Sequence, residues 1–236
     1  MELLSFLSKG HLLVGHRGHP AKELENTLES IESAIKSGAD LVEVDIQRTR
    51  DGVLVLSHDE DLQRVYGLKV NIRESLWEDL RKIEKDVYRL ASLEEALELV
   101  GGRVGMLLEI KNPQDTQAVL DLLERKKAKN WTALISFYPQ ALEKAKGRVI
   151  TGLVYSKPPG MIPEAKKIGC SLVLPKYMLA TQKAIDFAHK LRLKVIAWTV
   201  NQVEKARELF QRGVDGIATD EVELLRRGLY LNSDVG

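Results

Sequence analysis

Asp40-Leu-Val-Glu-Val-Asp-Ile-Gln-Arg-Thr49 reads as a buried strand that nonetheless carries two carboxylates. Side chains alternate along a strand, so Glu43 and Asp45 face one side while Val42 and Val44 face the other. Two like charges on one buried face repel, and the arrangement therefore calls for a cation between them. Oxygen ligands alone point to a hard divalent ion, Mg²⁺ or Ca²⁺. The competing reading is an edge strand with a solvated acidic face.

Working outward, the rhythm of the chain favours the buried reading. Upstream, Leu12-Leu-Val-Gly-His-Arg-Gly18 is a first strand that exits in ionisable residues, and apolar positions 28, 31, 34 and 35 form a helical stripe closed by Gly38. Asn26 or Thr27 is the candidate helix cap. Downstream, Arg50-Asp-Gly52 is a turn, so that Val53–Leu56 folds back as a hairpin before His58-Asp59. Residues 60–90 break the pattern and read as a polar insertion after the second strand, with one short helix around Leu76 to Ile83. Ser92-Leu-Glu-Glu95 is a capping box that opens the next helix, which Gly101-Gly102 stops.

From there strands at Val104–Ile110, Ala133–Ser136, Val149–Tyr155, Leu172–Leu174, Lys194–Val200 and Gly216–Ala218 alternate with helical patterns at 115–127, 139–146, 162–168, 181–191 and 202–212. With the first two strands this makes eight, the signature of a closed (β/α)₈ TIM barrel of the α/β class. An open doubly wound sheet loses support because no Gly-x-Gly-x-x-Gly follows a strand. No linker-like change of composition appears, so residues 1–236 are expected to form one catalytic domain carrying the small insertion.

Composition narrows the function classes. Thirty-five Lys and Arg against 34 Asp and Glu leave a formal charge of +1, so no field is built to attract nucleic acid. The one basic cluster, Arg125-Lys126-Lys127-Ala128-Lys129, ends a helical pattern, where cations complement the helix dipole. The single cysteine, Cys170, excludes an intrachain disulfide and reads as core. Met1-Glu-Leu-Leu-Ser-Phe-Leu7 lacks the features of a secretory signal, and no apolar run approaches spanning length. A cytoplasmic protein without stable membrane insertion is expected, and nothing in the sequence specifies an oligomeric state.

In such a barrel the active site lies at the C-terminal ends of the strands. His16 and Arg17 follow the first strand, Glu43 and Asp45 lie late in the second, His58 follows its hairpin, and Glu109 and Lys111 end the third. Three carboxylates make a hard-cation site with open positions, although Glu109 could instead be a simple salt-bridge partner of Lys111. Two histidines offer an acid and a base near neutral pH, and Arg17 and Lys111 are anion binders. Together they suit phosphoryl transfer. His11 and His189 read as bland, and His19 is undecided.

The series His16-Arg17-Gly18, Glu25-Asn26-Thr27, Gly38-Ala39-Asp40, Glu43-x-Asp45-Ile-Gln47-x-Thr49-x-Asp51-Gly52, His58-Asp59, Glu109-Ile-Lys111, Ser136-Phe137 and Ala197-Trp198-Thr199-Val200-Asn201 closely resembles the glycerophosphodiester phosphodiesterase family, in order and over most of the chain. The resemblance implies that Glu43, Asp45 and Glu109 hold the metal and that His16 and His58 are the acid–base pair. It further implies that Arg17 and Lys111 contact phosphate, that Trp198 packs on the glycerol moiety, and that 60–90 is the family's insertion. Glu25 and Asn26 read either as a helix start or as partners orienting Arg17 or a histidine. One departure is Arg89-Leu-Ala-Ser92, where the family usually has a Pro before the helix.

The activity expected is metal-dependent hydrolysis of a small glycerophosphodiester to sn-glycerol 3-phosphate and an alcohol. Two other readings stay open: a lysophospholipase D using the same site on lipid phosphodiesters, and a non-catalytic barrel that binds a phosphorylated ligand. A metal-dependent proton-abstracting barrel is weaker, having no need of two histidines beside a phosphate clamp.

Overall fold

The computed structural model describes residues 2–157 and 160–230. Eight strands run parallel: β1 (Leu12–Gly15), β2 (Leu41–Arg48), β3 (Gly105–Ile110), β4 (Thr132–Ser136), β5 (Ile150–Tyr155), β6 (Leu172–Pro175), β7 (Lys194–Ala197) and β8 (Gly216–Thr219). Each pairs with its successor, and β8 pairs with β1, which closes the sheet into a barrel. Outside lie α1 (Leu28–Lys36), α2 (Leu93–Val100), α3 (Thr116–Arg125), α4 (Pro139–Ala145), α5 (Met161–Ile168), α6 (Gln182–Lys190), α7 (Val203–Gln211) and α8 (Val222–Tyr230). The eightfold (β/α) alternation read from the sequence is the architecture observed.

The alternation within β2 explains why. Val42, Val44 and Ile46 pack outward with Ile31 and Ala34 of α1 and Ala96, Leu97 and Val100 of α2. Leu41 points inward with Leu12, Val14, Leu107, Ile135, Leu172, Leu174 and Ile196. The barrel strands are thus largely apolar on both faces, and the inward face of β2 and the end of β3 change to carboxylates at Glu43, Asp45 and Glu109. Local signals place the helices: the Thr27 side chain accepts from Ser30 N at 3.1 Å, and Ser92 and Glu95 form the capping box. The turn at Arg50–Gly52 returns a short antiparallel strand, Leu54–Leu56, onto β2 with Ile46 opposite Leu56.

The structure differs from the sequence reading in three places. A short helix, Leu3–Leu7, precedes β1, and its Leu3, Phe6 and Leu7 join the inward-facing cluster at the N-terminal end of the barrel. Gly105 makes room for it, because an added Cβ would stand 2.3 Å from Leu41 Cδ2 and 2.7 Å from Leu3 Cδ1. Within 60–90 there is more structure than one helix: Gln63–Tyr66, a 3₁₀ turn Ile72–Glu74, Trp77–Leu80, and a two-residue hairpin, Glu84–Lys85 with Tyr88–Arg89. Its Leu62, Ile72, Leu80 and Leu90 bury themselves against Val55 as a small core, and Arg73 Nη2 reaches the buried Asp115 at 2.5 Å. Third, β7 stops at Ala197 rather than Val200; Trp198 adds only an isolated parallel bridge to Lys176, and its indole N–H donates to Leu174 O at 2.7 Å.

The basic cluster after α3 is spent on local pairs, with Lys126 on Glu94 and Glu98 and Lys129 on Glu124. Among the described residues no helix is long and apolar enough to cross a membrane. Phe6 is 3% exposed at the end of the barrel opposite the carboxylates. Phe6→Ala is expected to lower unfolding stability by about 3–5 kcal/mol in denaturant titration, with turnover of the folded enzyme little changed.

Candidate active site

At the C-terminal mouth of the barrel, β2 and β3 run in register with Asp45 beside Glu109. Glu43, Asp45 and Glu109 bring carboxylate oxygens within 4.8 Å of one another. Asp45, 1% exposed, is fully engaged: Asn26 Nδ2 donates to Oδ2 at 2.9 Å, Arg17 Nε lies 3.2 Å from the same oxygen, and Lys111 Nζ lies 3.2 Å from Oδ1. Lys111 also reaches Glu109 Oε1 at 2.8 Å, so the salt bridge and the carboxylate cluster coexist. Glu43 Oε2 accepts the backbone N–H of Arg17 at 2.9 Å, whereas Oε1 is buried with no hydrogen-bond partner among the described residues. An orphaned buried carboxylate oxygen facing two others fits a hard divalent cation, which would take oxygen ligands and offset the repulsion.

Each expected histidine has a carboxylate behind it. His16 Nδ1 lies 2.8 Å from Asp220 Oδ1, and Asp220 is itself held by Asn201, whose Nδ2 donates to Oδ2 at 2.8 Å. His58 Nδ1 lies 2.7 Å from Asp59 Oδ1. In both rings this leaves Nε2 as the nitrogen available to substrate. His16, Arg17, Glu43, His58, Glu109 and Lys111 line a single cavity of about 140 Å³. Ile135, Phe137, Val154, Leu174 and Trp198 line it as well, with the Phe137 and Trp198 rings edge to face at 5.7 Å. A wider groove of about 830 Å³ lies outside the barrel along α1 and α8, away from these groups. Glu25 accepts from Arg17 Nη1 at 3.0 Å, while the Asn26 side chain reaches Asp45 and its backbone N–H donates to Arg17 O at 3.0 Å.

The model of the glycerophosphoryl diester phosphodiesterase family matches residues 16–224. The chain belongs to this family. It is 26% identical to the glycerophosphodiester phosphodiesterase of Caldanaerobacter subterraneus subsp. tengcongensis, over 91% of this chain and 96% of that one. A glycerophosphodiester phosphodiesterase structure from Thermotoga maritima is 30% identical, covers 92% of this chain and 97% of its own, and superposes with a TM-score of 0.80. An Oleispira antarctica phosphodiesterase solved with sn-glycerol-3-phosphate is 21% identical and shares the fold at a TM-score of 0.85, over 95% of this chain and 98% of that one.

For a phosphodiesterase of this family the electrostatics of the mouth are telling. Burial, then the neighbouring Asp45, pushes the Glu43 carboxyl up to about 8, against the pull of His16 and Arg17. Glu109 is raised for the same two reasons, with Lys111 opposing. Burial would also raise Asp45, but Lys111, Arg17 and Asn26 outweigh it and hold that carboxyl below its usual range. Burial disfavours the charged His16 ring, yet the hydrogen bond to Asp220 and the charge of Glu43 prevail and raise its pKa.

The sequence reading missed Asp220 and gave Asp59 and Asn201 no role of their own. A signal for Asp220 existed: it directly follows the last barrel strand, Gly216–Thr219, at the functional end. Arg64 was missed as well, lying in the segment read as a polar insertion. The other histidines stay outside the cavity: His11 packs on Phe210, His189 Nε2 lies 2.8 Å from Asp215 Oδ2, and buried His19 has Nδ1 3.0 Å from Ser33 Oγ.

Glu43 and Glu109 give a pH signature. Their folded pKa values stand above those of unfolded glutamates, so metal-free protein keeps protons that the unfolded chain releases. That contribution is complete below the unfolded value of about 4.3 and is lost as pH rises through the folded one. Thermal melts in chelator are therefore expected to show falling stability from about pH 5 toward 8, and excess Mg²⁺ or Ca²⁺ to remove the slope. Melts in chelator that are flat or rise over this interval would contradict the assignment.

Proposed function

We propose that this chain hydrolyses glycerophosphodiesters to sn-glycerol 3-phosphate and an alcohol, with Glu43, Asp45 and Glu109 holding a divalent cation, Mg²⁺ or Ca²⁺, and His16 and His58 transferring protons. One observation carries the reading: a single cavity is lined by Glu43 and Glu109 of the carboxylate triad and by two histidines, each with its own carboxylate behind it. A barrel that merely binds a phosphorylated ligand has no need of two such histidine pairs. The product in the Oleispira antarctica phosphodiesterase, a glycerol phosphate, supports the same substrate class.

When bound, the cation supplies positive charge at the phosphoryl oxygens and lowers the pKa of an attacking oxygen. Arg17 and Lys111, held by the carboxylates beneath them, bind the remaining phosphate charge and fix its orientation. Trp198, anchored through its indole N–H, offers a ring face against the glycerol carbons. One histidine accepts the proton of the nucleophile and the other donates one to the departing alcohol oxygen. Asp220 and Asp59 hold the rings in the required tautomer and stabilise whichever ring is positively charged.

A glycerol hydroxyl adjacent to the phosphoester is the favoured nucleophile, because intramolecular attack gains a large effective-molarity advantage. It produces a cyclic phosphate, which water then opens while the histidines exchange roles.

Activity on glycerophosphodiesters, detected as released glycerol 3-phosphate, should vanish in EDTA and return with a divalent cation. His16→Ala and His58→Ala should each lower turnover by about 10²–10⁴-fold, the usual worth of general acid–base catalysis, with little loss of stability. Full activity in chelator, or near-wild-type turnover in either histidine variant, would remove that part of the assignment. A second expectation concerns the nucleophile. Analogues lacking the neighbouring hydroxyl should still compete for binding yet turn over far more slowly, and phosphorus NMR of the parent reaction should reveal a cyclic product. Equal rates with no cyclic species would indicate direct attack by water.

A further inference from the structure

Arg64 lies on the four-residue helix Gln63–Tyr66, within the segment that precedes α2, and does not line the cavity. Its guanidinium nevertheless makes three hydrogen bonds to two carboxylates from different loops. Nε donates to Asp59 Oδ2 at 2.6 Å, Nη1 to Glu25 Oε2 at 2.9 Å, and Nη2 to Glu25 Oε1 at 2.7 Å. Those carboxylates are the ones that touch the working side chains: Asp59 Oδ1 is 2.7 Å from His58 Nδ1, and Glu25 Oε1 accepts from Arg17 Nη1 at 3.0 Å.

We propose that Arg64 is a positioning residue that couples His58, a proton-transfer group, to Arg17, a phosphate-binding group, through Asp59 and Glu25. The inference rests on the phosphodiester-hydrolase reading above. Without Arg64, among the described residues the Asp59 side chain keeps only the histidine as partner and can swing with it, and that of Glu25 keeps only Arg17. A planar fork is required, because three N–H groups must point to three oxygens of two carboxylates at once. A lysine ammonium carries the charge but cannot reproduce that geometry.

The supporting scaffold is local and specific. Leu62, immediately before the helix, is fully buried in the segment's small core. Lys85 Nζ donates to Val65 O at 2.8 Å, and Tyr88 OH donates to Glu23 Oε2 at 2.8 Å. The segment is thus fastened over the β1–α1 loop by contacts independent of Arg64, which explains how a four-residue helix can hold a guanidinium in register. Arg64 itself is half-exposed, and exposed ion pairs add little to global stability. Its effect should therefore be seen in catalysis and not in the melting temperature.

The test uses the full chain with added divalent cation and sn-glycero-3-phosphocholine, measuring kcat and KM. Arg64→Ala should lower kcat/KM by about 10–10²-fold, as loss of a supporting hydrogen-bond partner commonly does, with the melting temperature nearly unchanged. Arg64→Lys should recover only part of the loss, and guanidinium ion in solution should partly rescue Arg64→Ala. Asp59→Asn combined with Arg64→Ala should be clearly less harmful than the product of the two single effects, because both interrupt one chain of contacts. Tyr88→Phe, which loosens the same segment without touching the network, should be nearly silent and insensitive to guanidinium.

Wild-type kcat/KM in Arg64→Ala, multiplicative effects in the double variant, or equal losses in Tyr88→Phe and Arg64→Ala would each overturn the proposal while leaving the hydrolase reading intact. If the wild-type chain turned over no glycerophosphodiester at all, the hydrolase reading would fail instead. The coupling is then read from ¹⁵N-histidine NMR, where the His58 ring signals should be sharp in the wild type and exchange-broadened in Arg64→Ala. Identical His58 spectra would overturn it.

Discussion

Mutual repulsion among Glu43, Asp45 and Glu109 governs the architecture of the mouth. Asp45 and Glu109 are neighbours across the β2–β3 ladder, and Glu43 lies two residues earlier on the same inward face. No strand pair would hold three buried carboxylates unaided, since desolvation and like charge both oppose ionisation. The surrounding loops supply the opposition. The β1 exit delivers the Arg17 backbone N–H to Glu43 and its Nε near Asp45, the start of α1 delivers Asn26 to Asp45, and the β3 exit delivers Lys111 to both Asp45 and Glu109. Fully ionised, the three acids against Arg17 and Lys111 leave one net negative charge. A divalent cation reverses that sign, and a phosphodiester monoanion then neutralises it.

The cost of this arrangement appears in the backbone as well as in the pKa values. Arg17 and Asn26 both stand in the left-handed region, at φ +56° each, and Asn26 N donates back to Arg17 O at 3.0 Å. Gly18 follows at φ +88°, where an added Cβ would meet the backbone of Ser30 at 2.6 Å. A left-handed arginine is unfavourable on its own account. Here the turn sends its N–H and its guanidinium to two different carboxylates, a task an extended exit from β1 could not perform. The His-Arg-Gly stretch is thus a geometric device as much as a set of chemical groups.

How much was legible in the sequence follows from what each feature depends on. The barrel was legible because short apolar strands alternate eight times with helical patterns, five of which end at a glycine: Gly38, Gly101, Gly147, Gly169 and Gly213. Glu43 with Asp45, and Glu109 with Lys111, were legible because two-residue spacing on a strand fixes a shared face. The partners of Arg64 and Asp220 were not, since they lie far off in the chain: Arg64 meets Glu25 across the β1–α1 loop, and Asp220, although its place after the last strand was a signal, meets His16 only because β8 pairs with β1. The Leu3–Leu7 helix was passed over for a similar reason, because five residues carry too little periodicity and their burial comes from the barrel end they cover.

The two histidines differ in how their carboxylates are held, and the difference follows from topology. Asp220 belongs to the β8 exit and is fixed by Asn201 from the neighbouring β7 exit, which accepts the Asp220 backbone N–H at 2.9 Å as well as donating to its side chain. Closure of the barrel therefore supplies His16 with a partner set by the sheet itself. Asp59 has no such neighbour, because the chain after the Leu54–Leu56 strand leaves the barrel before returning at α2. Its second oxygen must be satisfied by something outside the sheet, and the segment that departs there carries Arg64 back over it. A polar excursion that interrupts the βα rhythm is, on this view, the means by which a histidine on a hairpin exit acquires the fixed partner that its counterpart receives from the barrel.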